Sequence, residues 1–275
     1  SRHWFLTGAS SGIGRHLAEI ILASGDDLTA TVRRPETLDD LAARYGDQLV
    51  VERLDVTVKG DIAPVVQRAE ARRPVDVLVN NAGGGIIGAT EEFSDADIEG
   101  QISLNLLAPV HVTRAFIPAM RTRRAGRIIQ ISSASGQGSL PTSSLYHAAK
   151  WGLEGFSECL RQELEGFGVF VTLIEPGGAR TSFSRNLQYA LANPAYQDTP
   201  AGQIRAMFEN AGDELYTLDP QKIAHRIFDT ATSEKPPLRV ALGGDAFGVI
   251  QAALKGRLSA LEAQESLARS VAFDS

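Results

Sequence analysis

Two side chains of complementary chemistry stand four residues apart in the segment Tyr146-His147-Ala148-Ala149-Lys150. In a helix this spacing brings the phenol and the ammonium to one face, about a turn apart. A tyrosine with its ordinary pKa of about 10 is a poor acid or base at neutral pH, and a nearby cation favours the phenolate. At roughly 4 Å and an effective dielectric of about 20, the attraction is about 4 kcal/mol before desolvation is subtracted. Taken alone, the pair is better explained as an exposed helix pair.

Polar residues also close two of the apolar, strand-like runs of the sequence. Ser132-Ser133 ends one run, and Asn80-Asn81 ends an earlier run. Asn105 lies in the helical segment between them. The carboxyl ends of parallel strands are where such sheets bind ligands, although serine and asparagine also serve as caps and turn formers.

A glycine-rich turn follows the first apolar run. Residues 7–14 read Thr-Gly-Ala-Ser-Ser-Gly-Ile-Gly and are followed by a helical pattern. Glycines let the backbone turn tightly and approach a pyrophosphate, and the N-terminus of the next helix offers free N–H groups to an anion. The alternative is a tight strand-to-helix connection without a ligand. The position of the turn on the first β-α unit favours dinucleotide binding.

The second apolar run ends at Arg33-Arg34, where an NAD-binding site usually carries an acidic residue for the adenosine 2′-hydroxyl. Two guanidinium groups there suit a 2′-phosphate instead, because their donors match phosphate oxygens in a fork geometry. The sequence therefore predicts NADP(H), with an exposed basic loop as the alternative.

The elements that must position these residues follow a repeated β-α rhythm. Nearly all-apolar runs are typical of strands covered by helices on both faces, and they alternate with segments of helical period. Strands are predicted at 2–7, 27–32, 48–54, 75–80, 126–132, 169–174 and 238–242. Helices are predicted near 13–24, 36–45, 61–72, 97–121 and 146–166. The pattern indicates an α/β fold with a doubly wound, seven-stranded parallel sheet of Rossmann type, in three layers and one domain over 1–275.

Two segments depart from this rhythm. Residues 179–217 carry many large apolar side chains between prolines and glycines without strand periodicity, which indicates a mobile insertion over the sheet. We refer to 179–217 as the lid segment. A helical tail is expected at about 244–271.

Composition and charge exclude several classes of function. The net charge of −6 argues against nucleic-acid binding. The single cysteine, Cys159, rules out an intrachain disulfide, and its mid-helix position predicts a buried side chain. The five histidines lack paired ligand spacing, so no metal site is expected. No run is long enough for a membrane span, and we expect a cytoplasmic protein.

Together the ordered motifs resemble the short-chain dehydrogenase/reductase family, in its single-domain branch. The resemblance is strong over about 2–181 and looser over 219–243. It implies a catalytic set of Asn105, Ser133, Tyr146 and Lys150. With the two arginines, the residues expected to bind the cofactor are Gly8, Ser10, Ser11, Gly12, Ile13, Gly14, Arg33, Arg34, Asp55, Val56, Asn81, Ala82, Gly83, Tyr146, Lys150, Pro176, Gly177 and Thr181.

The resemblance also implies a reaction. Hydride transfer between NADP(H) and a carbonyl or secondary alcohol would use Tyr146 as acid/base, Ser133 as hydrogen-bond donor and Lys150 to lower the pKa of the tyrosine. Asn105 would position a water that connects Lys150 to solvent. Alternatives are a same-fold epimerase or dehydratase, or a non-catalytic NADP(H)-binding regulator.

Two departures from the family pattern bear on specificity. Many NADP-dependent members carry a basic residue where this chain has Ser11, so the phosphate preference depends on Arg33 with Arg34. The tail resembles members that act on lipophilic carbonyls or hydroxysteroid-like alcohols, and a small lipophilic substrate is expected. By the same resemblance, two long helices near 97–121 and 146–166 predict a homodimer or homotetramer.

Overall fold

Seven parallel strands form the central sheet of the computed structural model, which describes residues 1–273. The strands are β1 (His3–Thr7), β2 (Asp27–Val32), β3 (Leu49–Arg53), β4 (Val77–Asn80), β5 (Ile86–Ile87), β6 (Gly126–Ile131), β7 (Val169–Pro176), β8 (Gln188–Tyr189) and β9 (Arg239–Leu242). Their order in the main sheet is β3-β2-β1-β4-β6-β7-β9, and β5 pairs with β8 outside it. The order reverses between β1 and β4, where sheets of this kind bind ligands.

Helices cover both faces of the sheet, so the predicted doubly wound α/β fold is confirmed. They are α1 (Gly12–Ala23), α2 (Asp39–Tyr45), α3 (Lys59–Arg72), α4 (Asp95–Ile102), α5 (Ala108–Arg123), α6 (Ser144–Leu164), α7 (Ser182–Arg185), α8 (Pro200–Glu209), α9 (Pro220–Thr232), α10 (Gly244–Glu262) and α11 (Glu265–Arg269). The predicted strands agree with the structure to within two residues at nearly every end. α9 lies outside the predicted helices.

Adjacent residues of β1 show how the three layers are packed. Trp4 stacks on Phe228 of α9, with ring centroids 5.4 Å apart. The next residue, Phe5, meets the edge of Phe116 of α5 at 4.8 Å. Successive strand side chains point to opposite faces, so one dipeptide enters both cores. The apolar sequence of β1 reflects burial on both of its faces.

The helix predicted over 97–121 is divided into α4 and α5 by a π-helical turn at Ser103–Leu107. Asn105 lies in this turn and is almost completely buried. Single π turns within helices often occur at functional sites because they redirect a side chain. The wider turn is therefore a reason to examine the environment of Asn105.

The lid segment contains more regular structure than its sequence indicates. It includes α7, α8 and β8, so the expectation of no strand is wrong for two residues. Ile86 and Ile87 of β5 supply the partner strand. The carboxylate of Glu92 is a second attachment, since it accepts from the Asn193 N–H at 2.7 Å and from Arg205 at 3.3 Å.

The C-terminal tail forms α10 and α11, as expected. Ala246 and Ile250 are the buried residues of α10, and its later turns are exposed. Arg257 contacts the body of the protein, with its guanidinium 4.8 Å from the ring centroid of Trp151. Among residues 1–273, no helix has the length and apolar character needed to cross a bilayer.

The side chain of Cys159 is exposed, so the prediction that it is buried is wrong. α6 buries Leu153, Ser157 and Leu160 on one face. Cys159 follows Ser157 by two positions, which turns it away from that face.

Candidate active site

Ser133, Tyr146 and Lys150 come together at the carboxyl end of β6. Ser133 follows the strand, and its hydroxyl is hydrogen-bonded to the phenol of Tyr146. Tyr146 and Lys150 lie in the first two turns of α6, as the helical spacing predicts. The Lys150 ammonium is buried, donates to the Ile131 carbonyl at 2.8 Å and lies 5.6 Å from the centroid of the Tyr146 ring. A hydroxyl, a phenol and an ammonium therefore converge on one point.

Burial sets the protonation of this group. It raises the pKa of Tyr146 to about 12, against the opposing effect of the Ser133 hydrogen bond. The expectation that Lys150 lowers this pKa is not met here, because desolvation outweighs the attraction of the cation. Burial also lowers the pKa of Lys150 to about 8, which the charge of Glu154 opposes. At neutral pH the phenol is protonated and can donate.

The start of the lid segment lies over Tyr146. The ring centroids of Phe183 and Tyr146 are 5.9 Å apart. The Thr181 hydroxyl caps α7 by accepting from the Phe183 N–H at 3.2 Å, which fixes the position of the ring. The adjacent Ser182 hydroxyl is 2.8 Å from that of Ser11 in the glycine-rich turn. The lid segment thus connects the reactive tyrosine with the glycine-rich turn.

The glycine-rich turn has the form of an anion cradle. Gly8 and Gly12 adopt φ angles of 69° and 55°, which favour glycine. A Cβ atom at Gly14 would lie 2.3 Å from the Gly8 carbonyl oxygen. Ser11 precedes α1 without a side-chain cap, so the first N–H groups of the helix have no side-chain acceptor from it. The turn therefore fits a pyrophosphate, and Ser10, Ser11 and Ile13 lie in the same segment.

Asn81 connects this turn to the end of β4. Its amide donates to the carbonyls of Thr7 at 3.1 Å and Gly8 at 3.0 Å. The Thr7 hydroxyl in turn accepts from the N–H groups of Asn81 at 3.0 Å and Ala82 at 3.1 Å. These reciprocal bonds hold the two loops together at the point where the strand order reverses.

Asn105 supports the neighbouring Gly83–Gly84 segment. Its amide nitrogen donates to the Gly84 carbonyl at 3.0 Å, and its amide oxygen accepts from the Gly84 N–H at 3.3 Å. A Cβ at Gly83 would lie 3.1 Å from the same oxygen. In this structure the polar atoms of Asn105 hold backbone, and its role toward Lys150 stays a prediction.

The residues predicted for the adenosine end lie at the ends of β2 and β3. Arg33 and Arg34 are both exposed. Asp55 accepts from the N–H and the hydroxyl of Thr57, at 3.0 and 2.7 Å. These bonds hold the pKa of Asp55 below its usual value, and the charge of Arg33 adds to the effect. Val56 is buried beside it.

The segment predicted for the nicotinamide end follows β7. Gly177 donates to the Leu242 carbonyl at 3.0 Å, and Gly178 donates to the carboxylate of Asp245 at 2.7 Å. Pro176 and Thr181 are buried. β9 and the start of α10 therefore fix the segment that leads into the lid.

Sequence reasoning missed a polar cluster beneath Ser133. The Ser132 hydroxyl donates to the carboxylate of Glu154 at 2.5 Å. Glu175 and Arg239 complete the cluster, on β7 and β9. The available signal was Glu154, one helical turn after Lys150, but its partners are distant in sequence.

The sequence matches the family model for short chain dehydrogenases over residues 2–191. It is 35% identical to oxidoreductase BOA17 of Botryotinia fuckeliana, over 88% of this chain and 89% of that protein. It is 34% identical to human retinol dehydrogenase 8, over 85% of this chain and 79% of that protein.

Solved structures give the same result. A short-chain dehydrogenase from Streptomyces avermitilis superposes with a TM-score of 0.91 at 38% identity, covering 99% of this chain and 98% of that one. A Burkholderia phymatum enzyme of this fold was solved with NAD (TM-score 0.80, 23% identity, 96% and 95% covered). A metagenomic short-chain oxidoreductase was solved with NADP (TM-score 0.70, 27% identity, 88% and 96% covered).

Proposed function

Because the chain belongs to the short-chain dehydrogenase/reductase family, we propose that it is an NADP(H)-preferring oxidoreductase that interconverts a carbonyl and a secondary alcohol. The observation that carries the proposal is the protonated phenol of Tyr146, hydrogen-bonded to Ser133 and covered by Phe183. A buried donor beside a hydroxyl and an ammonium suits reduction of a carbonyl, in which an oxygen gains negative charge.

The side chains divide the work in that reaction. The nicotinamide supplies the hydride when it is bound. The Ser133 hydroxyl orients the carbonyl oxygen by a hydrogen bond, and Tyr146 donates its phenolic proton to that oxygen. The ammonium of Lys150 then stabilises the phenolate that remains. Oxidation of an alcohol reverses the proton transfer at the same phenol.

The NADP(H) preference rests on Arg33, with Arg34 beside it. Both side chains are exposed at the carboxyl end of β2 and keep their donors available. Asp55 is engaged by Thr57, which satisfies one of its oxygens. Relatives of this fold bind NAD or NADP, so the arginines are the basis of the choice.

The lid segment supports a lipophilic substrate. Phe183, Tyr189 and Met207 leave 38%, 38% and 40% of their surface exposed. Apolar side chains of this size beside Tyr146 can surround a substrate and exclude water during hydride transfer. The similarity to retinol dehydrogenase 8, named for a lipophilic alcohol, agrees with this assignment. We also propose a homo-oligomer, formed through α4–α5 and α6.

The test is oxidation of NADPH with a panel of ketones of increasing apolar size, with product identified by chromatography. Alcohol formed in equal amount to the NADPH consumed supports a reductase. Substrate conversion without net NADPH consumption would indicate an epimerase or dehydratase instead. Tight NADPH binding without turnover across the panel would indicate a regulator.

A further inference from the structure

Two glutamates are buried beneath the proposed active site, on the side away from the lid. Glu154 on α6 is 5% exposed, and Glu175 on β7 is 2% exposed. Burying a carboxylate is costly unless it is paired, so each must be accounted for by its neighbours. Neither has a part in the proton transfer described above.

Glu154 is held as a carboxylate by two donors. The Ser132 hydroxyl donates to one oxygen at 2.5 Å, and the Arg239 Nε donates to the other at 2.9 Å. A second nitrogen of Arg239 donates to the exposed Glu158 at 2.8 Å. The guanidinium is therefore shared between two carboxylates before Glu175 is considered.

Glu175 is less well compensated. It accepts from the Gln137 amide at 2.6 Å, and Arg239 lies 3.6 Å away. Burial raises the pKa of Glu175 to about 7, and the neighbouring charge of Glu154 adds to the rise. Two carboxyl groups in contact cannot both ionise easily, so Glu175 retains its proton below neutral pH.

Lys150 stands one helical turn before Glu154, and both face the protein interior. The other charged groups around the cluster are Arg239 on β9 and Glu158 on α6. On α10, Asp245 binds the Gly178 N–H, and Arg257 donates to the Gln137 carbonyl at 2.6 Å. Among these groups, the buried carboxyls of Glu154 and Glu175 lie closest to Lys150 in the sequence of contacts through α6.

We propose that Glu154 and Glu175 are positioning residues that keep Lys150 charged as the pH rises. Glu154 supplies a permanent negative charge one turn from the ammonium. Glu175 adds a second charge when it ionises, in the pH range where the buried lysine would otherwise begin to lose its proton. The consequence for turnover rests on the proposed function, whereas the effect on Lys150 does not.

Substitution of Glu175 by glutamine isolates this effect. Glutamine has the shape of the protonated carboxyl and still offers an oxygen to Gln137. Glu158→Gln is the matched control, because Glu158 binds the same arginine but is 53% exposed. Glu154→Gln tests the permanent charge, and its folding is checked by circular dichroism.

The direct measurement is the titration of Lys150 by NMR with isotope-labelled lysine, the signal being assigned by its loss in Lys150→Arg. We expect the pKa of Lys150 to fall by roughly half a unit to one unit in Glu175→Gln, and by at least as much in Glu154→Gln. It should not change in Glu158→Gln. An unchanged Lys150 titration in folded Glu175→Gln would overturn the role of Glu175.

The activity measurement separates positioning from simple structural support. At about pH 6 Glu175 is protonated, so Glu175→Gln should match the wild type in kcat and KM; at about pH 9 kcat should fall roughly threefold to tenfold. An equal loss at both pH values would indicate a structural role and overturn the proposal. If no carbonyl compound is turned over, the proposed function fails, while the NMR titration still decides the effect on Lys150.

Discussion

Phe183 lies against the ring of Tyr146, with centroids 5.9 Å apart and ring planes inclined at 55°. The two residues come from different parts of the chain, the lid segment and the start of α6. Their contact contributes to the burial that raises the pKa of the phenol to about 12. Closing the lid and protonating the donor are therefore linked through one pair of rings.

Replacing Phe183 by alanine should expose the phenol to water and bring its pKa back toward the ordinary value. We expect kcat to fall severalfold, because water exclusion is lost during hydride transfer. Met207→Ala removes an equally exposed apolar side chain of the lid and is the control. pH profiles of kcat for both variants provide the measurement, and identical profiles would argue against a role for the ring contact.

Tyr146→Phe should abolish turnover and leave NADPH affinity within a few-fold of the wild type. The substitution removes the proton donor but keeps the ring that packs against Phe183. Steady-state kinetics and NADPH fluorescence titration measure the two quantities separately. A variant that kept more than about a tenth of wild-type turnover would show that another group donates the proton.

Arg33→Ala should weaken NADPH binding far more than NADH binding. A charge-assisted contact with the 2′-phosphate contributes roughly 1.5 to 3 kcal/mol, or about 10- to 150-fold in affinity. Arg226→Ala removes an exposed arginine of α9 and controls for net charge. Dissociation constants for both cofactors decide the matter, since equal losses would mean that Arg33 does not contact the phosphate.

Hydrogen exchange across 179–217 should slow when NADP(H) and substrate bind. We expect the largest change around α7 and α8, and a smaller one at β8, which is already paired with β5. The bonds from Glu92 to Asn193 and Arg205 should act as a fixed attachment during closure. The same exchange rates with and without ligands would mean that the segment is permanently packed and does not close.

The free energy of unfolding should fall as the pH rises from about 4.5 to about 7 on account of Glu175. Its pKa is about 7 in the folded protein and 4.5 for the free side chain, so the folded state holds a proton that the unfolded state has released. The loss amounts to at most about 3 kcal/mol. Glu175→Gln should remove this dependence, as measured by urea unfolding at several pH values, and a slope equal to that of the wild type would contradict the prediction.

Local spacing was enough to predict much of the site. The turn from Gly8 to Gly14 and the i,i+4 pair of Tyr146 and Lys150 depend on neighbours in sequence, and the structure has both in the expected elements. The strands were predictable for a similar reason, because burial on both faces leaves a nearly continuous apolar run. The π turn at Asn105 has no such signature, since its sequence is that of an ordinary helix.

The amino-acid sequence by itself determined the order of the β-α units, the glycine-rich turn and the pairing of phenol with ammonium, all of which follow from local geometry. Tertiary structure alone decided the protonation of that pair. Desolvation depends on which distant segments cover a group, and here Phe183 covers the tyrosine while Glu154 faces the lysine. Glu175 and Arg239 join Glu154 only because β7 and β9 are adjacent in the sheet, a contact that no short-range pattern encodes.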